Sequence, residues 1–337
     1  MAKYTLPETM NAVGFDTPGG PEVLTSRRCP LPLVGKLDVL IQVAYAGVNR
    51  PDCIQRAGNY PAPPGASPLP GLEVAGEVVA IGEGVPNAMM GKKVAALTPG
   101  GGYAEYCAAP WDHCLPVPKE MSWREACAIP ETLFTVWHNV FELGNLSSGQ
   151  TLLVHGGSSG IGTMALMLAN SIGAKAIATC GNASKVEAAY EHGADLAINY
   201  QDVDFVDEVE SFTLGRGVDV VLDMVSGDYV PRNLRCLAVG GKHVTIAVLG
   251  GPVTELNMAY LMMRRLTLTG STLRPRSNAF KAELCQKITD KAWPLFVSGR
   301  LKPSIDSVFA LGQAAMAHQK MESGQHIGKI VLQVGQE

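Results

Sequence analysis

Charged residues, aromatic residues and long apolar runs are all scarce in this sequence. Charged residues make up 17% and aromatic residues 6% of 337 positions, and the formal net charge is −4. Without a basic excess the chain lacks the electrostatic footprint that nucleic acid or an anionic membrane would select. No apolar run approaches the roughly 20 residues of a membrane helix. The opening MAKYTLPETM carries neither the charged nor the apolar segment of a secretory leader. A soluble, cytoplasmic protein is the expectation. Metal-ligand spacing is missing as well. Cys29, Cys53, Cys107, Cys114, Cys127, Cys180, Cys236 and Cys285 are scattered, with no CxxC pair. That argues against a disulfide framework and a local zinc cage, and most are expected to be small buried hydrophobes. His113, His138, His192, His243, His318 and His326 occur singly and read as structural or exposed. His155 ends a predicted strand and should pack or hydrogen-bond beneath the loop that follows.

What the chain does have is apolar material, at 47%, and a length that predicts two domains. The first third is rich in Gly, Pro and β-branched runs. Val39–Val43 and Glu73–Ala80 read as strands, and Tyr60–Pro68, with four prolines, as a loop. This predicts a β-rich first domain. Trp123–Leu143 has helical spacing interrupted at Pro130. Strands and helices then alternate: Thr151–His155, Gly160–Ile172, Ala176–Thr179, Ser184–His192, Ala197–Asn199, Phe205–Phe212, Val218–Leu222, Tyr229–Leu237, His243–Ala247 and Leu266–Thr269. Short apolar strands between amphipathic helices predict a doubly wound parallel sheet covered on both faces. A helix over Ala279–Ser298 and a strand over Lys329–Val334 close the chain. The predicted boundaries are 1–126 with 274–337 for the β-rich domain and 127–273 for the α/β domain.

One turn carries most of the chemistry. The strand Thr151–Val154 runs into His155-Gly156-Gly157-Ser158-Ser159-Gly160-Ile161-Gly162, and a helix follows. Glycines at 157, 160 and 162 permit a tight turn, close approach of a pyrophosphate and close helix–strand packing. The first amides of that helix have no internal partners and face the phosphates. An NAD site usually places a carboxylate about 20 residues further on, at the end of the next strand. Here that stretch reads Thr179-Cys180-Gly181-Asn182-Ala183-Ser184-Lys185. No acid stands there, Gly181 leaves room for an extra phosphate, and Ser184 and Lys185 can donate to it. NADPH is the expected cofactor.

Domain order and several motifs resemble the medium-chain dehydrogenase/reductase superfamily across essentially the whole chain. Pro18-Gly19-Gly20-Pro21-Glu22-Val23-Leu24, Ala46–Asp52, Pro70–Gly76 and Gly101–Tyr106 look like its zinc-free quinone oxidoreductase branch. Gln55–Tyr60 followed by Pro63–Ser67 is similar to the p53-inducible quinone oxidoreductase group and its bacterial relatives. The resemblance implies a GroES-like catalytic domain, a Rossmann domain and assembly as a homodimer or homotetramer. It assigns Gly157, Gly160 and Ile161 to the pyrophosphate turn, and Gly181, Asn182, Lys185 and Tyr200 to the 2′-phosphate. Thr135, Ser226, Leu249 and Leu273 fall where relatives approach the rest of the cofactor. Zinc-dependent relatives carry a ligand cysteine within the segment matching Gly47–Asp52 and a ligand histidine where Leu72 stands. Neither is present here.

Without metal, a hydrogen-bond donor must stabilise the oxygen that turns negative during hydride transfer. Asn49 matches the family's asparagine near the nicotinamide; the competing reading is an asparagine that satisfies a turn. Tyr60 matches a proton-donating tyrosine of related enoyl reductases; the competing reading is a ring stacked on the proline loop. Tyr45, Arg50 and Asp52 lie close in sequence without an assigned role. The leading expectation is reduction of a quinone or similar conjugated carbonyl by NADPH. Enone or enoyl reduction through Tyr60 is the close alternative, and an NADPH-binding redox sensor the non-enzymatic one. A short-chain dehydrogenase shares the GxxxGxG turn of Gly156, Gly160 and Gly162, but no YxxxK pair follows residue 162.

Overall fold

The computed structural model describes residues 5–335. The chain forms two compact units, one running through Phe134 and resuming at Arg274, the other Thr135–Leu273. The first boundary thus falls after Phe134 rather than after residue 126. The reason is packing: Ala126, Cys127 and Ala128 bury against Ala44, Tyr45, Ala75 and Val331 of the first unit.

In chain order the first unit starts with β1 (Thr9–Gly14) and β2 (Thr25–Pro30), an antiparallel pair. Next come β3 (Asp38–Val48), α1 (Arg50–Arg56), β4 (Glu73–Ile81), β5 (Lys93–Leu97), β6 (Tyr106–Pro110) and β7 (Cys114–Pro116). Helices α2 (Trp123–Cys127) and α3 (Pro130–Val136) lead toward the second unit, split where Pro130 removes an amide donor. The second unit holds β8 (Thr151–His155), α4 (Gly160–Ser171), β9 (Lys175–Cys180), α5 (Ala183–Glu191) and β10 (Leu196–Asn199). It continues with α6 (Phe205–Phe212), β11 (Val218–Asp223), α7 (Tyr229–Cys236), β12 (Leu237–Thr245), α8 (Met258–Arg264) and β13 (Thr267–Gly270). The first unit then resumes with α9 (Asn278–Lys291), α10 (Trp293–Val297), β14 (Ile305–Ala310), α11 (Ala314–Ser323) and β15 (Lys329–Gln333).

The main sheet of the first unit has the order β14-β15-β3-β4-β5-β7, with β6 also paired to β3. Val39, Ile41 and Val43 of β3 are at most 2% exposed, and Val74, Val78, Val94 and Ile330 pack with them. The end of the chain therefore closes the fold. β15 lies antiparallel to β3 with Ile330 opposite Val48, which puts Lys329 beside the residue that follows β3.

The second unit is one parallel sheet, β10-β9-β8-β11-β12-β13, with helices between successive strands. Strand order reverses between β8 and β11, the place where an open α/β sheet leaves a crevice at its carboxyl ends. Leu152, Leu153, Ile177, Val221 and Leu222 are fully buried because both sheet faces are covered. Three expectations need correction. β12 begins at Leu237 rather than His243, with an irregularity in its pairing to β11. The strand expected over Leu266–Thr269 lies one residue later, as β13, and α8 precedes it. The last long helix breaks at Ala292, and a second one starts at Trp293 with Pro294 in its first turn. Helix α11 and strand β14 escaped the sequence reading, since half-polar stretches such as IDSVFA show weak periodicity. Among the described residues no helix is long and apolar enough to cross a membrane.

Beneath the carboxyl ends of β8, β9, β11 and β12 runs a buried polar chain. His155 Nε2 donates to Asn233 Oδ1 at 2.7 Å, so its Nδ1 accepts from the Thr179 hydroxyl at 2.9 Å. Asn233 Nδ2 donates to Asp223 Oδ2 at 3.1 Å, and His243 Nε2 donates to the same oxygen at 3.0 Å. The other Asp223 oxygen accepts the amides of Val225 and Ser226 at 2.7 and 3.0 Å. Four strand ends are thereby tied together at the level of the glycine turn.

Burial lowers the His155 pKa from 6.5 to about 4, outweighing the attraction of Asp223. The unfolded chain therefore binds a proton there that the folded chain refuses, and stability drains away as pH falls from 6.5 toward 4. The slope from this residue is about 1.4 kcal/mol per pH unit. Thermal midpoints measured from pH 7 to 4.5 should fall, and His155→Gln should make the decline shallower. A variant profile parallel to the native one would remove His155 from the explanation.

Candidate functional site

The turn after β8 is built by exclusion of side chains. A Cβ on Gly157 would lie 2.5 Å from the Cβ of Ala178, and one on Gly162 would lie 2.3 Å from the Gly156 carbonyl oxygen. No side chain fits at either place, so the backbone of Gly157 lies on the Ala178 methyl and that of Gly162 on the Gly156–Gly157 backbone. Ser159 caps α4, its hydroxyl accepting the Gly162 amide at 3.0 Å. That bond engages Ser159 and Gly162 in the helix's own cap. The amides of Gly160 and Ile161 open the 12-residue helix and face its positive end. Ser158 is 4% exposed.

At the end of β9 stands Cys180, where a carboxylate would select NAD. The amides of Ser158 and Gly157 point at its sulfur, and burial pushes the thiol up to about 11, so the strand end is neutral. Asn182 caps α5 by accepting the Lys185 amide at 3.0 Å, which fixes Asn182, Ser184 and Lys185 in one exposed turn. Tyr200 closes over it: a Cβ on Gly181 would be 2.8 Å from the Tyr200 hydroxyl. Gly181 thus makes room for the tyrosine ring rather than open space.

The remaining predicted contacts of this unit fall into two groups. Ser226, with φ +62°, and Leu249 sit on the loops after β11 and β12, joined by the Leu249 amide on the Met224 carbonyl at 3.2 Å. Asn139 links the helical segment after Thr135 to the segment after β13. It donates to the Thr135 carbonyl at 2.8 Å and accepts the Ser271 hydroxyl at 2.7 Å, two residues before Leu273.

The first unit carries a buried charged cluster that the sequence reading missed. Glu73, 0% exposed, opens β4, and Lys329, 4% exposed, opens β15. Their ion pair measures 2.6 Å. Asn49 stands between them. Its Oδ1 accepts from Lys329 Nζ, and its Nδ2 donates to Glu73 Oε1 at 2.9 Å. The second Glu73 oxygen accepts the Glu131 amide at 2.8 Å. A Cβ on Gly47 would fall 2.0 Å from Glu73 Oε1, so only glycine there leaves space for the carboxylate. The Asn49 side chain is thus held by buried charge, and one N–H of its amide is left for a further acceptor. The sequence signal was a charged residue heading each apolar strand, Glu73 before Val74 and Lys329 before Ile330.

Asp52 is fully buried and accepts the Asn49 amide at 2.8 Å and the Gly71 amide at 2.9 Å. Burial still raises its pKa to about 6. Tyr103 bridges it to His318, with 3.5 Å to Asp52 and 3.0 Å to the imidazole. Burial pushes His318 down to about 3, so it is neutral near pH 7. Arg50 donates to the Met321 carbonyl at 3.3 Å, and Tyr45 packs in the core. Tyr60 follows α1 half-buried. The Arg274 guanidinium lies 5.4 Å from its ring centre, and burial raises the phenol's pKa, so it stays protonated at neutral pH. Leu72 is buried hydrocarbon and offers no ligand atom. Among the described residues no group of three or more His, Cys, Asp and Glu side chains is placed to hold a metal ion.

Two family models match the chain, "Alcohol dehydrogenase GroES-like domain" over residues 35–119 and "Zinc-binding dehydrogenase" over residues 160–290. The rat synaptic vesicle membrane protein VAT-1 homolog is 31% identical over 93% of this chain and 81% of its own length. The mouse quinone oxidoreductase is 30% identical over 96% of this chain and 97% of its own length. The solved Escherichia coli quinone oxidoreductase complexed with NADPH superposes with a TM-score of 0.85 at 27% identity, covering 96% of this chain and 100% of that one. The chain belongs to the medium-chain dehydrogenase/reductase superfamily. Its relatives there include quinone oxidoreductases, and its two units are the GroES-like and Rossmann parts of that fold.

Removing the Lys329 charge should strand Glu73 in the core. Lys329→Met is expected to lose about 3–5 kcal/mol in urea unfolding, and adding Glu73→Gln should restore much of it. Strictly additive losses would show that the two side chains do not act as a pair.

Proposed function

We propose that this chain is an NADPH-dependent oxidoreductase that reduces a quinone or a similar conjugated carbonyl without a metal. One observation carries the coenzyme reading: the end of β9 is a neutral thiol, with Lys185, Asn182, Ser184 and Tyr200 gathered just beyond it. A diphosphate would rest on the Gly160 and Ile161 amides, with Ser158 beside them. A 2′-phosphate would meet Lys185 and the Tyr200 hydroxyl where an NAD site repels it. Thr135, Ser226, Leu249 and Leu273 would line the remainder of the coenzyme. When bound, NADPH supplies the hydride.

The chain's own part is charge and proton handling. In place of a Lewis acid, the free Asn49 N–H donates to an oxygen that gains charge, its amide oriented by Lys329 and Glu73. Leu72 in a position that zinc-dependent relatives give to a ligand supports this metal-free reading. The neutral, half-buried phenol of Tyr60 favours a second reading, reduction of an enone with Tyr60 as proton donor. The Arg274 guanidinium would then stabilise the phenolate left behind. We also propose a homodimer or homotetramer. β13 is an edge strand, and Met258, Met262 and Met263 near it are 62%, 69% and 67% exposed.

Steady-state assays with NADPH should show turnover with simple quinones such as 1,4-benzoquinone, well above the uncatalysed rate. Absence of any acceptor-dependent NADPH oxidation would reject the assignment. Tyr60→Phe separates the two readings. A loss of enone turnover by about 10²-fold or more, with NADPH affinity unchanged, marks Tyr60 as the donor. Equal rates in both proteins leave it a packing residue.

A further inference from the structure

Away from the Asn49 cluster, the first unit contains a cleft of about 620 Å³ bounded by the proline loop, the Pro99–Gly101 turn and the segment leading into α9. Neither Asn49, Asp52, Glu73 nor Tyr60 lines it. One wall is apolar, with Met10, Pro64 and Leu69. The basic residues of the cleft are Arg274, Arg276 and Lys281.

Arg274 is only 8% exposed. Its Nε donates to the Pro99 carbonyl at 3.0 Å and its Nη1 to Gln55 Oε1 at 2.8 Å, while Nη2 is buried without a hydrogen-bond partner. That nitrogen borders the cleft, since a Cβ on the lining residue Gly100 would stand 3.2 Å from it. A buried guanidinium N–H left unmatched is costly, so an acceptor that completes it binds with advantage. Lys281, 5% exposed, donates to the Arg274 carbonyl at 3.1 Å and also lines the cleft. Among the described residues neither cation forms an ion pair. Arg276 adds a third, exposed positive charge, its guanidinium 4.3 Å from the Phe280 ring centre.

The 14-residue helix α9 also begins here. Its cap Ser277 accepts the Phe280 amide at 3.2 Å, and Ser277 and Asn278 both line the cleft. The amides of Asn278 and Ala279 open the helix at its positive end. The acidic group on the wall is Asp38, which accepts the Gly35 amide at 3.1 Å. Three cations and a helix terminus thus face one carboxylate across a space of small-molecule size.

We propose that this cleft is a binding site for an organic oxyanion, a carboxylate or phosphate monoester carried on a compact apolar body. The oxyanion sits against Arg274 Nη2, the Arg276 guanidinium and the first amides of α9. The apolar body lies along Pro64 and Leu69. The site is formed within the first unit and does not depend on the coenzyme reading.

Calorimetric titration of the full-length protein with phenyl phosphate and with benzoate, each with and without excess NADP⁺, tests it. Binding of either anion that persists with NADP⁺ present is expected, and the tighter of the two identifies the source of the oxyanion. Arg276→Ala, an exposed change that leaves the core intact, should weaken it about threefold or more, and Arg274→Lys about tenfold. Loss of binding on adding NADP⁺ would place the anion in a coenzyme phosphate pocket and overturn the proposal. No heat with either probe, or unchanged affinity in both variants, would overturn it as well.

Discussion

The turn between β8 and α4 has no room for a side chain at Gly157 or Gly162, and much of the second unit follows from that constraint. With Gly157 pressed on Ala178 and Gly162 on the Gly156 carbonyl, α4 starts directly over the strand ends. Its opening amides then face the crevice created where strand order reverses between β8 and β11. The polar chain from Thr179 through His155, Asn233 and Asp223 to His243 fixes the strand ends from below. The backbone surface at these strand ends is thereby held by hydrogen bonds rather than by side-chain bulk.

The first unit solves a different problem, which is how to keep charge inside an apolar sheet. Glu73 and Lys329 head the two strands that flank β3 and are stable there only as a pair, with Asn49 and the Glu131 amide filling the remaining valences. Gly47 makes the space and β15 delivers the lysine, so the end of the chain completes a cluster begun by its first third. Such a cluster fixes the direction of one amide N–H. That is the property a hydrogen-bond donor needs if it is to act on a developing charge without reorganising.

Much of the α/β unit was legible because its signals are local. Thr151–His155 and Phe205–Phe212 match the observed elements residue for residue, since apolar runs and helical periodicity both speak over short windows. The glycine turn was legible for the same reason. The charged cluster was not, because Asn49, Glu73 and Lys329 are far apart in sequence and only the antiparallel pairing of β15 with β3 joins them. Cys180 read as a small hydrophobe, and its place over the Gly157 and Ser158 amides emerged only once β9 and the turn were adjacent. Strand β14 and helix α11 carry too little periodicity to stand out before the fold shows what they cover.

The proposed function requires a coenzyme whose diphosphate rests on the amides of Gly160 and Ile161 and whose 2′-phosphate meets Lys185. The most direct measurement is a fluorescence titration of the protein with NADPH and, separately, with NADH. Saturable binding is predicted, with NADPH tighter by about tenfold or more, as an added charge-assisted contact at Lys185 would give. Equal affinities, or tighter binding of NADH, would contradict it.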